Sequence, residues 1–113
     1  MTVTLFHNPK CSTSRKALAL LQEKGVQPAV VEYLKAGWDA ATLDRLARET
    51  GVGLSGLLRR REAKAGDLLE SDASDDAIRA AVIAEPVLVE RPIVETDKGA
   101  RIGRPVEAVL EVL

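Results

Sequence analysis

The amino-terminal third of the chain changes between strand-like and helix-like spacing of its hydrophobic residues. Residues 3–6 form a short β-prone run, and from Ser12 onward the apolar residues recur at helical spacing until Gly25, a natural helix stop. Residues 29–34 are mostly apolar and suit a second, buried strand. This order predicts a parallel, right-handed βαβ unit.

The middle of the chain carries helical patterns separated by capping and stop residues. Asp39 caps a helix that Gly51 ends, and Ser74 caps another that stops before Pro86. Between them, residues 54–61 form a short helix with a basic carboxyl end. The polar stretch before Ser74 is typical of a loop rather than of a domain linker, so we predict a single domain over residues 1–113.

The last part of the chain predicts a hairpin and a closing helix. Residues 91–96 and 100–102 are strands joined by a turn, and Pro105 takes the first position of the final helix, whose inner face is Val106, Val109 and Leu110. Together with the opening unit this gives an α/β domain with a small mixed sheet of four strands flanked by helices. Such a layout is that of a thioredoxin-like fold.

The composition argues against nucleic-acid binding, a membrane span and secretion. Sixteen basic and seventeen acidic residues nearly cancel, and aromatic residues make up 3%, so nucleic-acid binding by charge or by stacking is not expected. No apolar run reaches the roughly 20 residues of a membrane span, and no secretory signal pattern is visible. A single cysteine excludes an internal disulfide, which favours a cytoplasmic location.

That cysteine, Cys11, lies in the segment HNPKCSTSR, between a strand end and a helix start. Unpaired N–H groups and the helix dipole favour a thiolate there, and Arg15 would add positive charge one turn later. Most lone cysteines are small buried hydrophobes. A helix start rich in hydroxyls and flanked by cations is a poor packing position, however, so we predict that Cys11 is a nucleophile.

The single histidine and the arginines outside this segment can each be interpreted as functional or as ordinary structural residues. His7 is either a base or charge that tunes Cys11, or a hydrogen-bonded residue at a strand end, and one His with one Cys does not make a metal site. Arg91 and Arg104 each precede a proline, which holds them extended at element boundaries. Arginine suits bidentate oxyanion binding, but surface arginines, including the run that begins at Arg59, are also common.

Taken together, these segments resemble the glutaredoxin-coupled arsenate reductases, a family whose wider group includes the Spx transcriptional regulators. The resemblance extends over essentially the whole chain and is carried by HNP with Cys11, by TSR, LLR, ERPIV and GRP. It implies a thioredoxin-like fold in which about residues 39–85 form a helical insertion. It also implies that Pro92 is the cis-proline of that fold, although the sequence alone would make it trans.

The resemblance also implies the roles of the site residues. Cys11 would be catalytic. The substrate oxyanion would be bound by Arg59, Arg91 and Arg104, where the run of arginines at 59–61 leaves the register of the first open. The groups that lower the pKa of the cysteine and shape the anion site would be His7, Ser14 and Arg15.

The activity implied is reduction of arsenate to arsenite by a monomer without a bound cofactor. The chain has no second cysteine to resolve an arsenic adduct, so glutathione would act as co-substrate and glutaredoxin would regenerate Cys11. The chain ends at Leu113, whereas well-studied members have a longer tail, so no contacts from such a tail are expected.

Three other functions stay open. A regulator of the Spx type would bind RNA polymerase, but Cys-x-x-Ser stands here where many such regulators have Cys-x-x-Cys. The same thiol chemistry would also suit another oxyanion. A plain disulfide reductase resembling glutaredoxin is the third alternative.

Overall fold

The computed structural model describes residues 2–113, which contain four strands, six α-helices and two 3-10 helices. The strands are β1 (Thr4–His7), β2 (Ala29–Glu32), β3 (Ile93–Thr96) and β4 (Gly99–Ile102). The α-helices are α1 (Ser12–Glu23), α2 (Tyr33–Ala36), α3 (Ala40–Thr50), α4 (Gly53–Gly56), α5 (Ala63–Glu70) and α6 (Asp75–Ala84). The 3-10 helices are Pro86–Leu88 and Val106–Val112.

The chain forms two compact units. The first runs to Ala36 and resumes over Arg91–Leu113, and it contains the whole sheet. The second, Gly37–Glu90, is helical and includes the segment predicted as an insertion.

The sheet of the first unit has the strand order β2-β1-β3-β4. β1 pairs in parallel with β2, whereas β3 is antiparallel to both β1 and β4. The predicted mixed sheet, with its βαβ unit and its hairpin, is therefore confirmed. The register brings the carboxyl end of β1, the start of β3 and the end of β4 to one end of the sheet. Loops that leave these strand ends are consequently neighbours.

An apolar cluster packs the sheet of the first unit against its helices. Its sheet members include Leu5 and Val94, neither exposed to solvent, and α1 contributes Ala17 and Leu21. Burial of such side chains contributes about 1.5–3 kcal/mol each to folding. This packing fixes the amino-terminal end of α1 relative to the end of β1.

Capping residues fix the helices of the second unit as the sequence indicates. The Asp39 carboxylate accepts the N–H of Thr42 at 2.7 Å, and Gly51 ends α3 with a φ of 77°. The Ser74 hydroxyl accepts the N–H of Ala77 at 3.2 Å at the start of α6. Both predicted helix starts are therefore confirmed.

The second strand differs from its prediction as a buried strand over residues 29–34. It ends at Glu32, because Tyr33 begins the one-turn helix α2 and buries its ring there. β2 is also an edge strand with a single neighbour, so it is not covered on all sides, and Val30 is 44% exposed. An apolar run is thus no proof of a central position in the sheet.

Two helical predictions also change, and one further helix was not predicted. The closing segment is a 3-10 helix rather than an α-helix, and its buried residues are Val109 and Val112 rather than Leu110. With Val106 they repeat every three residues, which matches the three residues per turn of a 3-10 helix. The short helix predicted over residues 54–61 ends at Gly56, and Ala63–Glu70 forms a helix that was not predicted.

Neither unit contains, among the described residues, an apolar helix of the length that a membrane crossing requires.

Candidate active site

Cys11 caps the amino-terminal end of α1. Its backbone is extended, with φ −92° and ψ 123°, and its N–H closes a turn by donating to the Asn8 carbonyl at 3.0 Å. Its own carbonyl accepts the N–H of Arg15, which is the first hydrogen bond of the helix. The side chain is partly exposed. The sulfur therefore lies over the helix start, where a reagent can reach it.

The surroundings of Cys11 lower the pKa of its thiol below the ordinary value. Burial acts in the opposite direction and raises it, but three hydrogen bonds outweigh that effect. They come from the backbone N–H of Ser14, from the Arg91 guanidinium and from the backbone N–H of Thr13, and the positive charge of Arg91 adds to them. The net result favours the thiolate, the reactive form of cysteine.

A second guanidinium approaches the same sulfur. Nη2 of Arg104 lies 3.6 Å from Sγ of Cys11, and its Nε donates to the carbonyl of Arg91 at 2.9 Å. Arg91 precedes β3 and Arg104 follows β4, so the pairing of these strands brings both arginines to the end of the sheet where Cys11 lies. The structure therefore places three of the predicted site residues together.

The residues that adjoin these two arginines, Pro92 and Gly103, are closely packed against each other. Gly103 donates its N–H to the Pro92 carbonyl at 2.8 Å, and a Cβ added to it would lie 2.7 Å from Cγ of Pro92. The peptide bonds Arg91–Pro92 and Arg104–Pro105 are both cis, the first in agreement with the resemblance. The sequence pattern gave no reason to single out Gly103, because only the packing shows that nothing larger fits.

His7 and Ser14 form a buried hydrogen-bonded pair that links β1 to α1. His7 Nδ1 and Ser14 Oγ are 2.6 Å apart, and the N–H of Asn8 donates to the same hydroxyl at 3.1 Å. Burial lowers the pKa of His7, and the charge of Arg15 lowers it further, whereas Glu32 raises it. His7 is therefore neutral at pH 7 and positions Ser14, whose backbone N–H in turn serves the cysteine.

Arg15 turns back toward the loop before Cys11. Its Nη1 donates to the carbonyl of Pro9 at 2.9 Å, while the side chain stays exposed. It therefore stabilises the loop that leads to Cys11.

Arg59 belongs to the second unit and is the buried member of its run. It is 9% exposed, whereas Arg60 and Arg61 are exposed, and its Nη1 binds the Glu90 carboxylate at 2.7 Å. Its backbone N–H donates to the Leu88 carbonyl at 2.7 Å. Burial thus distinguishes the first arginine of the run, while its part in anion binding stays a prediction from the resemblance.

Within residues 2–113, no three His, Cys, Asp or Glu side chains come together as ligands of a metal ion.

The chain matches the model of one protein family over residues 6–112, described as the ArsC family. It is 46% identical to the uncharacterized protein YfgD of Escherichia coli (strain K12), over 98% of this chain and 96% of that protein. It is 38% identical to an arsenate reductase of Haemophilus influenzae over the full length of both.

Among solved structures, the chain resembles an arsenate reductase from Vibrio cholerae. The two share 43% sequence identity and a TM-score of 0.92, and the match covers 100% of this chain and 98% of the other.

Proposed function

Because the chain belongs to the ArsC family, we propose that it is an arsenate reductase that uses Cys11 as nucleophile and glutathione with glutaredoxin as reductants. The observation that carries this proposal is the convergence on one sulfur. Two backbone N–H groups and Arg91 favour its thiolate, and Arg104 lies 3.6 Å away. A thiolate beside two guanidinium groups suits an attack on a bound oxyanion.

The first step joins sulfur to arsenic. Arg91 and Arg104 hold arsenate beside Sγ, and Arg59 is the third arginine that the resemblance assigns to the anion. The Cys11 thiolate attacks arsenic and forms an S–As bond, while the As–O bond to one arsenate hydroxyl breaks and that hydroxyl takes a proton from solvent and leaves as water. Arsenic stays pentavalent in the resulting thiol–arsenate adduct. The helix start and the guanidinium groups stabilise its negative charge.

The second step is the reduction. A glutathione thiolate attacks Sγ of Cys11, a disulfide forms between the two sulfurs, and the S–As bond breaks with its electron pair going to arsenic. Arsenic leaves as trivalent arsenite, which takes up the proton that glutathione loses. The two electrons come from the two sulfurs, so no other reductant is needed. Cys11 is left as a mixed disulfide with glutathione.

Glutaredoxin closes the cycle by thiol–disulfide exchange. Its thiolate attacks the glutathione sulfur, and the Cys11 thiolate leaves. A thiol of low pKa leaves faster, so the groups that activate Cys11 for attack also speed its release. Since glutathione is a constituent of reducing compartments, this chemistry supports a cytoplasmic location. We propose that the enzyme acts as a monomer, because Arg91, Arg104 and the N–H groups of Thr13 and Ser14 form the site beside Sγ within one chain.

A coupled assay with arsenate, glutathione, glutaredoxin, glutathione reductase and NADPH tests this proposal. Cys11→Ser is expected to reduce NADPH oxidation to the level without enzyme, because a serine hydroxyl is barely ionised at neutral pH. Arg91→Ala and Arg104→Ala are expected to lower kcat/KM for arsenate by about 100-fold each, as charge-assisted hydrogen bonds are lost.

Arg48→Ala is the matched control, because it removes an exposed arginine from the second unit and is expected to leave the rate unchanged. Turnover by Cys11→Ser would contradict the proposal. So would a wild-type enzyme that reduces a mixed disulfide but not arsenate, which would instead favour a plain disulfide reductase.

A further inference from the structure

We propose that a cleft next to Cys11, on the β2 side, binds a carboxylate end of glutathione, an inference that rests on the glutathione-dependent reaction proposed above. The cleft has a volume of about 190 Å³. One wall is the segment of residues 7–10, and the other is formed by Glu32, Leu34 and Lys35. The sequence pattern gave no role to Leu34 or Lys35, and Lys10 is one of the cations that flank the helix start in HNPKCSTSR.

The sheet places this cleft on the flank opposite the arginine pair. β1 lies between β2 and β3, and Cys11 follows the end of β1. Arg91 and Arg104 come from the β3 and β4 side, while the second wall of the cleft comes from the end of β2. A thiolate that attacks Sγ must approach from the side opposite the S–As bond that breaks. The cleft therefore opens on the flank from which the second thiol is expected.

The walls of the cleft carry charged side chains that could form ion pairs with the charged groups of a small peptide. Lys10 forms no ion pair with a carboxylate of residues 2–113, and its ammonium is therefore open to one from a ligand. Lys35 lies 3.7 Å from Glu32, but their side chains are 81% and 39% exposed, so that pair is weak. Glutathione has two carboxylates and one ammonium, which match two lysines and one glutamate.

The apolar part of the cleft favours a peptide over a second inorganic anion. Leu34 is 43% exposed on one wall, and Pro9 belongs to the other. A compact oxyanion has no methylene groups to cover such surface, whereas the glutathione backbone and its γ-glutamyl stem do.

The length of glutathione also fits. Lys10 directly precedes Cys11, so their Cα atoms are about 3.8 Å apart, and an extended tripeptide spans about 10 Å. A carboxylate held by Lys10 therefore leaves the central thiol within reach of Sγ.

Binding of S-methylglutathione, which cannot form a disulfide, tests the cleft without arsenate. In ¹H–¹⁵N spectra of the wild type we expect shifts at residues 8–10 and at Leu34 and Lys35. We expect Lys10→Gln to weaken the affinity about three- to tenfold, as for loss of a partly exposed charged hydrogen bond. Lys10→Arg restores it, and Lys16→Gln, which removes an exposed lysine of α1, changes it less than twofold.

A kinetic measurement separates this proposal from the function on which it rests. At saturating arsenate, Lys10→Gln is expected to raise KM for glutathione by the same factor, while the alkylation rate of Cys11 with iodoacetamide stays within twofold. If Lys10→Gln and Lys16→Gln had the same KM for glutathione, the proposed glutathione site in the cleft would be wrong, while the proposed reductase activity would be unaffected. Shifts confined to other residues would also overturn it. Binding in the cleft by a protein that fails to reduce arsenate would support the cleft and contradict the substrate instead.

Discussion

At the residue scale, the reactivity of Cys11 is a balance between burial and hydrogen bonding. Partial burial raises the pKa of its thiol, and the groups that overcome this effect are two backbone N–H groups and Arg91. The backbone groups come with any helix that starts at this position, whereas Arg91 lies just before the strand β3, eighty residues away in the chain. We therefore expect different tasks for the two arginines: Arg91 lowers the pKa of the thiol, and Arg104, whose Nη2 lies 3.6 Å from the sulfur, mainly holds the anion.

This difference predicts unequal effects of the two arginine variants on the free enzyme. Arg91→Ala is expected to raise the pKa of Cys11, because a hydrogen bond and a positive charge are both lost. Arg104→Ala should move it less, since its Nη2 is 3.6 Å from the sulfur. The pH dependence of the rate of alkylation by iodoacetamide measures both, with Arg48→Ala as control. Equal shifts for both variants would show that the tasks are not divided in this way.

The chemistry of single residues was predictable where local sequence decides it. The proline turn before Cys11 and the hydroxyl-rich segment after it indicated a thiol of lowered pKa at a helix start, and the structure has both features. Ser14 makes two different hydrogen bonds, from its backbone N–H to the Cys11 sulfur and between its hydroxyl and His7. These were not predictable, because they depend on the distance between β1 and α1. Likewise, only burial distinguishes Arg59 from the two arginines that follow it.

At the element scale, helix starts were predicted correctly where the capping side chain accepts a hydrogen bond from the first turn of the helix. Asp39 and Ser74 marked two helix starts, and both make the expected side-chain hydrogen bonds. The helix α5 was missed because its N-cap, Glu62, makes no side-chain cap and its interior contains Gly66, a weak helix former. The 3-10 form of the last helix was missed because a period of three resembles that of an α-helix over only two turns.

Replacing glycine by alanine is expected to have opposite effects on stability at two positions, Gly103 directly after β4 and Gly66 within α5. Gly103→Ala places a Cβ 2.7 Å from Pro92 and 3.1 Å from Val109, so we expect it to lower the free energy of unfolding by about 1–3 kcal/mol. Gly66→Ala in α5 meets only one backbone oxygen at 4.0 Å and should raise it by about 0.5–1 kcal/mol. Urea unfolding measures both.

Activity distinguishes the two glycines as well. Gly103 adjoins Arg104, so its alanine variant is expected to lose arsenate turnover as the loop shifts, whereas Gly66→Ala keeps it. If Gly103→Ala were as stable and as active as the wild type, the close packing against Pro92 would not be required.

At the scale of the whole molecule, the positive charge near Cys11 is a local feature of a protein whose charges otherwise nearly cancel. The formal net charge is −1, so the anion binding proposed above depends on the few cations near Cys11 and not on the charge of the protein as a whole. The chain also has a single histidine, and the structure buries it in the link between the sheet and α1. This imidazole is therefore one group through which stability can depend on pH near neutrality.

The last prediction concerns the dependence of stability on pH. Burial lowers the pKa of His7 below its ordinary value of 6.5, so the unfolded chain takes up a proton more readily than the folded one. The free energy of unfolding should therefore be highest above pH 6.5 and fall as the pH decreases from there toward the lowered value. Urea unfolding of Cys11→Ser at about pH 7.5 and about pH 5.5 measures this without a contribution from the thiol. His7→Asn in the same background should be less stable at both pH values but lose less between them. A protein that became more stable on acidification over this range would require a charged His7 in the folded state, and the neutral His7–Ser14 link would be wrong.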